Sequence, residues 1–171
     1  MTGQIVKTEL TIKDVSGKSI KPFSEAKPSV LIFTTYDCPV ANKMVPEIRH
    51  IANSYQGRIN FLLVYTDPDT SQNELTTHRE DFGLNEITSI LDSKHNLVKA
   101  TGAEITPEAV IVKKGKVLYR GRINNFYEDF GKPRRVVTQH DLRDAITAVL
   151  SGKKVPQPKG ECIGCYIPKL K

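Results

Sequence analysis

The order of apolar and polar residues divides this chain into segments of two different periods. In "ELTIKDVSGKSIKPF", residues 9–23, short apolar stretches flank Asp14–Val15–Ser16–Gly17. Gly17 tolerates the positive φ of a tight turn, so the pattern predicts two short strands around it. "SVLIFTTY", residues 29–36, is continuously apolar and rich in β-branched and aromatic side chains. Such a run suits a central strand with both faces covered. Ala41, Met44, Val45, Ile48, Ile51 and Tyr55 then recur at helical spacing up to Gly57, which predicts an amphipathic helix. Pro46 lies inside that helix and removes a backbone donor, so a kink is expected there.

"RINFLLVYTD", 58–67, predicts a second buried strand, and "TSQNELTTHREDFGL", 70–84, a helix opened by the cap-type residues Thr70 and Ser71. Asp92 is placed to cap a shorter helix that stops at Gly102. "EAVIVKKGKVLYRGRI", 108–123, predicts a hairpin with Lys114–Gly115 at its tip. The last helix is expected over "TQHDLRDAITAVLSG", with Thr138 as its cap, Asp141 three residues on, and Leu142, Ala145, Ile146 and Val149 as its apolar face. Strands interleaved with helices and followed by a hairpin imply an α/β sandwich on a mixed sheet. Residues 153–171 carry prolines, glycines and lysines without periodicity. The expected organisation is one domain, 1–152, followed by a flexible, cysteine-containing C-terminal tail, 153–171.

Composition narrows the picture a little further. At 171 residues, 39% hydrophobic and 26% charged, the chain can bury a core and is unlike a disordered one. The net charge of +6 is scattered rather than clustered, so no nucleic-acid partner is expected. No run approaches the ~18 apolar residues of a membrane span. "MTGQIVKTEL" lacks the apolar stretch of a signal peptide. A removed leader is equally compatible, so the compartment stays open between cell envelope and cytoplasm. Three cysteines cannot all pair within one molecule, which favours working thiols over a disulfide scaffold.

Cys38 stands at the start of the predicted helix, followed by Pro39. Free amides and the helix dipole stabilise a thiolate at such a position, and Pro suits the first helical turn. The neighbouring Asp37 opposes that effect, and the alternative is an inert buried thiol packed as a small hydrophobe. Redox proteins of this kind usually carry a partner cysteine three residues on, where this chain has Ala41. Cys162 and Cys165 form a C-x-x-C in the tail. About 13 residues separate Cys165 from the end of the last helix, a reach of up to roughly 45 Å. That exceeds the radius of gyration of about 15–16 Å for a domain of this size, so either tail thiol can meet Cys38. A zinc site on the three cysteines would need a histidine. His50, His78, His95 and His140 lack ligand spacing and read as solvated helix residues, so no metal and no cofactor are expected.

"VLIFTTYDCPVANKMVPEI", 30–48, resembles the active-site strand and helix of thioredoxin-fold proteins, in which a proline follows the second cysteine of C-x-x-C by five residues. Counting back from Pro46 gives Ala41, which places Cys38 at the nucleophilic position. "ITPEAVIVKKGKVLYRG", 105–121, is similar to that fold's cis-proline and hairpin, with Thr106–Pro107 at the bend. A narrower resemblance is to bacterial redoxin-domain proteins related to alkyl hydroperoxide reductases and thiol-specific antioxidants. One subgroup reads "CP" without a second cysteine, then "TPE", "Y-x-G-R-I-D-N" and a "G-C-x-I" tail. Here these are Cys38–Pro39, Thr106–Pro107–Glu108, "YRGRINN" at 119–125 and "GCYI" at 164–167.

The resemblance implies a thioredoxin-like three-layer α/β sandwich with a central mixed sheet. It implies a thiol–disulfide oxidoreductase with Cys38 as nucleophile and a tail cysteine, Cys165 in preference to Cys162, as resolving thiol. Thr35, Pro39, Thr106 and Pro107 would contact substrate. Implied partners are protein thiols and disulfides or a peroxide, together with an external thiol reductant. The peroxiredoxin pattern P-x-x-x-T-x-x-C is half present: Thr35 fits, but Leu31 replaces the proline, and Arg120 and Arg122 compete for the arginine role. Peroxide reduction is therefore the alternative. A non-catalytic interaction or metal-binding domain is the second.

Overall fold

The computed structural model describes residues 3–171, so Met1 and Thr2 of the N-terminal stretch read for a leader lie outside it. The predicted first hairpin forms from β1 (Ile12–Lys13) and β2 (Ser19–Ile20). Gly17 adopts φ 88° in its turn, and the Asp14 carboxylate accepts from the amides of Ser16 and Lys18.

The "SVLIFT" run becomes β3 (Ser29–Thr34), the middle of a five-stranded sheet. It runs parallel to β4 (Asn60–Tyr65), and β4 runs parallel to β5 (Thr88–Leu91). Other short elements, including β6 (Ile105–Thr106), precede the C-terminal hairpin. That hairpin, β7 (Glu108–Lys113) and β8 (Lys116–Gly121), adds antiparallel on the other side of β3, with Lys114 and Gly115 at positive φ in its tip. Alternate residues of β3 enter different cores. Val30 and Ile32 pack with helix residues on one face, while Leu31 and Phe33 pack with Phe23, Ile90 and Leu97 on the other. Burial on both faces explains the absence of polar alternation in this strand.

The helix after Cys38 is broken rather than bent. α1 (Pro39–Lys43) ends at Met44, which also begins α2 (Val45–Ser54). Pro46 sits in the first turn of α2, where its missing N–H would be unpaired anyway, so the interruption falls just ahead of it. α3 (Gln72–Asp81) selects Ser71 as its cap through a reciprocal pairing with Glu74. The cap of α4 (Asn96–Thr101) is His95 rather than Asp92, but the Asp92 carboxylate still accepts from the first-turn amides of Leu97 and Val98.

Two elements escaped the sequence reading and one more cap needs correction. β5 carries no sequence period, because four residues with a buried Ser89 show neither alternation nor a continuous apolar run. α5 spans Asp141–Leu150 with His140, not Thr138, at its cap. Thr138 instead accepts from the Asn125 side chain through its hydroxyl. The chain between β8 and α5 forms a small exposed hairpin, β9 (Tyr127–Asp129) and β10 (Lys132–Pro133).

The tail refines the domain picture. It is laid along the domain and ends in β11 (Cys165–Tyr166), antiparallel to β6. The reason is tertiary: Lys159 N–H donates to Asp141 Oδ1 at 2.9 Å, and Pro158 packs where Gly121 has no side chain.

Candidate active site

β3 delivers Thr34 and Thr35 to the C-terminal edge of the sheet, and the chain turns there into α1. Cys38 caps α1 in an extended conformation, φ −76° and ψ 112°, followed by Pro39 in the first turn. Its Sγ accepts from the Ala41 N–H at 3.4 Å. The residue standing where C-x-x-C proteins keep a second thiol therefore gives Cys38 a backbone donor. The Cys38 N–H in turn donates to the Thr35 carbonyl at 3.4 Å.

Opposite α1 lies the Thr106–Pro107 peptide bond, which is cis. The three thiols line up along it. Cys38 Sγ is 3.3 Å from the Thr106 carbonyl oxygen and 2.9 Å from Cys165 Sγ. The Cys162 thiol donates to the Pro107 carbonyl at 3.1 Å. Thr106 Oγ1 donates to the Cys165 carbonyl at 3.4 Å, so the pair is held by side chain as well as by strand pairing. Cys38 is only 2% exposed, and Tyr127 and Cys165 pack against the cluster it forms with Val40 and Ala41.

Electrostatics separate the tail thiols from solvent-exposed ones. Burial, then the hydrogen bond and charge of Cys38, push the Cys165 pKa up to about 12. Burial first, then the Glu108 carboxylate, push Cys162 to about 12. Both are protonated thiols at neutral pH.

Thr35, Cys38, Thr106, Pro107, Cys162 and Cys165 thus converge, with Pro39 exposed on the rim. The two candidate arginines do not. Arg120 pairs with Glu108 at 3.4 Å and reaches the Gly102 carbonyl, while Arg122 pairs with Asp141 at 2.8 Å and Gln139. Arg122 does line a cavity of ≈ 20 Å³ with Pro107 and Tyr127, room for about one water. Among the described residues no cluster of three or more His, Cys, Asp or Glu is placed to hold a metal ion.

Several supporting residues carried no clear sequence signal. His78, expected in solvent, is buried. Its Nδ1 faces the Tyr65 hydroxyl and its Nε2 the Asn42 Oδ1, each at 2.8 Å, and the Asn42 amide donates to the Tyr36 carbonyl. This relay ties α3 to the loop that presents Cys38. The spacing of Leu75 and His78, three residues apart on one helix face, was its only trace. His95 is also buried, in a left-handed conformation, with Nε2 at 2.7 Å from the Thr66 carbonyl. The Glu108 carboxylate is buried and accepts from the amides of Glu104 and Ile105 at 3.2 Å each, fixing the bend before Pro107. Burial raises its pKa against the pull of those amides and Arg120. "YRGRINN" has a framework role: Asn125 Oδ1 accepts from the amides of Thr138 and Gln139, and Arg122 holds the start of α5.

Comparison with known proteins agrees with this fold. Among solved structures the chain is similar to an uncharacterized conserved protein from Geobacillus kaustophilus, at 22% identity and TM-score 0.82, with 99% of this chain and 93% of that one covered. A hypothetical protein from Sinorhizobium meliloti is similar at 21% identity and TM-score 0.79, covering 98% of this chain and 93% of that one. A secreted Mycobacterium tuberculosis disulfide oxidoreductase shares the fold at 16% identity and TM-score 0.59, over 85% of this chain and 96% of that one. No curated protein sequence matches. The redoxin family model matches residues 4–130, and on that match the chain belongs to the redoxin family of thioredoxin-fold oxidoreductases.

Proposed function

We propose that this redoxin is a thiol–disulfide oxidoreductase in which Cys38 is the attacking sulfur and Cys165 the resolving one. The observation that carries the proposal is the 2.9 Å approach of their Sγ atoms beside the cis-proline bend. In the reducing direction the Cys38 thiolate attacks one sulfur of a substrate disulfide. A Cys38–substrate mixed disulfide forms and the other substrate sulfur leaves with the electron pair, taking a proton. Cys165 then attacks Cys38 Sγ. Its proton goes to the second departing sulfur, the substrate is released as a dithiol, and a Cys38–Cys165 disulfide remains. An external thiol reductant restores the pair. The Mycobacterium tuberculosis disulfide oxidoreductase of the same fold is consistent with this chemistry.

Peroxide reduction has one observation in its favour, Thr35 three residues before Cys38. Two others oppose it: both nearby arginines are engaged by carboxylates, and Cys38 is covered by the tail. Mass mapping of the full-length protein after mild oxidation tests the proposal. A Cys38–Cys165 link is expected as the main product. A Cys162–Cys165 link with Cys38 left reduced would overturn it.

A further inference from the structure

The tail sits on β6 in a manner that demands one residue type at one position. A Cβ on Gly164 would stand 2.0 Å from the Thr106 carbonyl oxygen and 2.8 Å from its carbon. Thr106 is fully buried, so the tail rather than β6 must give way. From Gly164 onward the segment behaves as an added strand. Cys165 pairs with Thr106, Tyr166 with Ile105, and the Ile167 N–H donates to the Glu104 carbonyl at 2.9 Å. Its side chains alternate as a strand's do. Cys165 packs on Cys38, Tyr166 is 83% exposed, and Ile167 packs on the second core cluster.

From this seating, and resting on the thiol-exchange chemistry proposed above, we propose that residues 163–167 hold the β6 edge as a built-in competitor of substrate, and that a segment displacing them carries glycine immediately before its reactive cysteine. The main-chain edge of Ile105–Thr106 receives the incoming strand. The closeness of the Thr106 carbonyl excludes a Cβ at the residue before the cysteine. The reactive cysteine falls where Cys165 now lies, against Cys38. Substrate and tail therefore exclude one another: Cys38 attacks after the tail has left, and Cys165 resolves after its return to the vicinity of the sulfur.

The test uses the reduced full-length chain and reads alkylation of Cys38 by mass. Gly164→Ala introduces the clash, and Ile167→Pro removes the 2.9 Å hydrogen bond without touching Thr106. Both are expected to accelerate Cys38 alkylation by about tenfold or more, ~1.4 kcal/mol of protection lost. Equal rates in wild type and both variants would overturn the competitor role. The substrate preference is read on the Gly164→Ala, Cys165→Ser chain, which has a displaced tail and no resolving thiol. The probe is a synthetic peptide of residues 161–169 whose Cys165 is activated as a mixed disulfide with thionitrobenzoate, the position of Cys162 being serine. Cys38 attacks the peptide sulfur, the aryl thiolate leaves with the electron pair, and its absorbance reports the rate. The glycine peptide should react about tenfold faster than its alanine counterpart; equal rates would overturn the glycine requirement. If wild type forms no Cys38–Cys165 link on oxidation, yet both variants release Cys38, the strand site stands and the resolving role of Cys165 falls.

Discussion

Cys38 and Cys165 end up in contact, but they arrive there by different physics. Cys38 is placed by rules that act within a few residues: a buried strand, a turn, a cap position, a proline in the first helical turn. Cys165 has no such local instructions. It is placed by seating of the whole tail: Pro158 against Gly121, Gly160 against the Arg122 guanidinium, Gly164 against the Thr106 carbonyl, and Lys159 on Asp141. A nucleophile built into a helix start is held whether or not a partner is present. A thiol held by a run of close approaches can leave when one of them is spoiled. The contrast suits a pair in which one sulfur must stay and the other must alternate with substrate.

The strongest way to break this comparison is Cys38→Ser. Disulfide exchange with a protein substrate is expected to fall by at least ~10³-fold, about 4 kcal/mol of barrier. Substantial remaining turnover would mean that the tail C-x-x-C works alone. Next in size, Cys165→Ser should slow turnover by about 10²-fold, or ~2.7 kcal/mol, and leave a Cys38–substrate mixed disulfide detectable by mass. Cys162→Ser should cost only a few-fold, since its sulfur faces the Pro107 carbonyl rather than Cys38. In the wild type the resolving step should accelerate with alkalinity by about tenfold per pH unit, because Cys165 remains protonated up to about 12. A profile that levels off near pH 9, the ordinary value of the thiol, would show that Cys165 attacks only after its burial has been relieved.

A smaller effect probes the scaffold beneath Cys38. Burial lowers the His78 pKa below its ordinary 6.5. The unfolded chain then takes up this proton at a higher pH than the folded one. Its contribution to stability is complete above about 6.5 and is lost as pH falls toward the folded value. Thermal denaturation should therefore show a Tm that drops on acidification in this window, and His78→Gln should flatten that drop. An identical pH dependence in the variant would dissociate His78 from the effect. The smallest change is expected for Thr35→Val, less than about twofold on disulfide exchange. A loss of about 10²-fold in oxidation of Cys38 by peroxide, ~2.7 kcal/mol, would instead favour the peroxidase chemistry.

The amino-acid sequence by itself determined the elements whose stability is local or whose burial is uniform. β3, β4 and the β7–β8 hairpin follow from continuous apolar runs and a tip at positive φ, and α5 from its period. The cap position of Cys38 and the bend at Thr106–Pro107 were also legible, one from helix-start chemistry and the other through family resemblance. Tertiary structure decided the rest. β5 exists because a parallel neighbour completes its hydrogen bonds, not because its four residues favour a strand. His78 and His95 are buried because hydroxyl, amide and carbonyl partners from other elements satisfy their rings. The answering thiol lies 127 residues from Cys38, and no period or cap rule acts over that separation. Its place depends on where a missing side chain lets two backbones meet, at Gly164 and Thr106. That fit belongs to the folded surface, since a glycine in a tail looks the same in sequence whether its neighbour in space is a carbonyl or water.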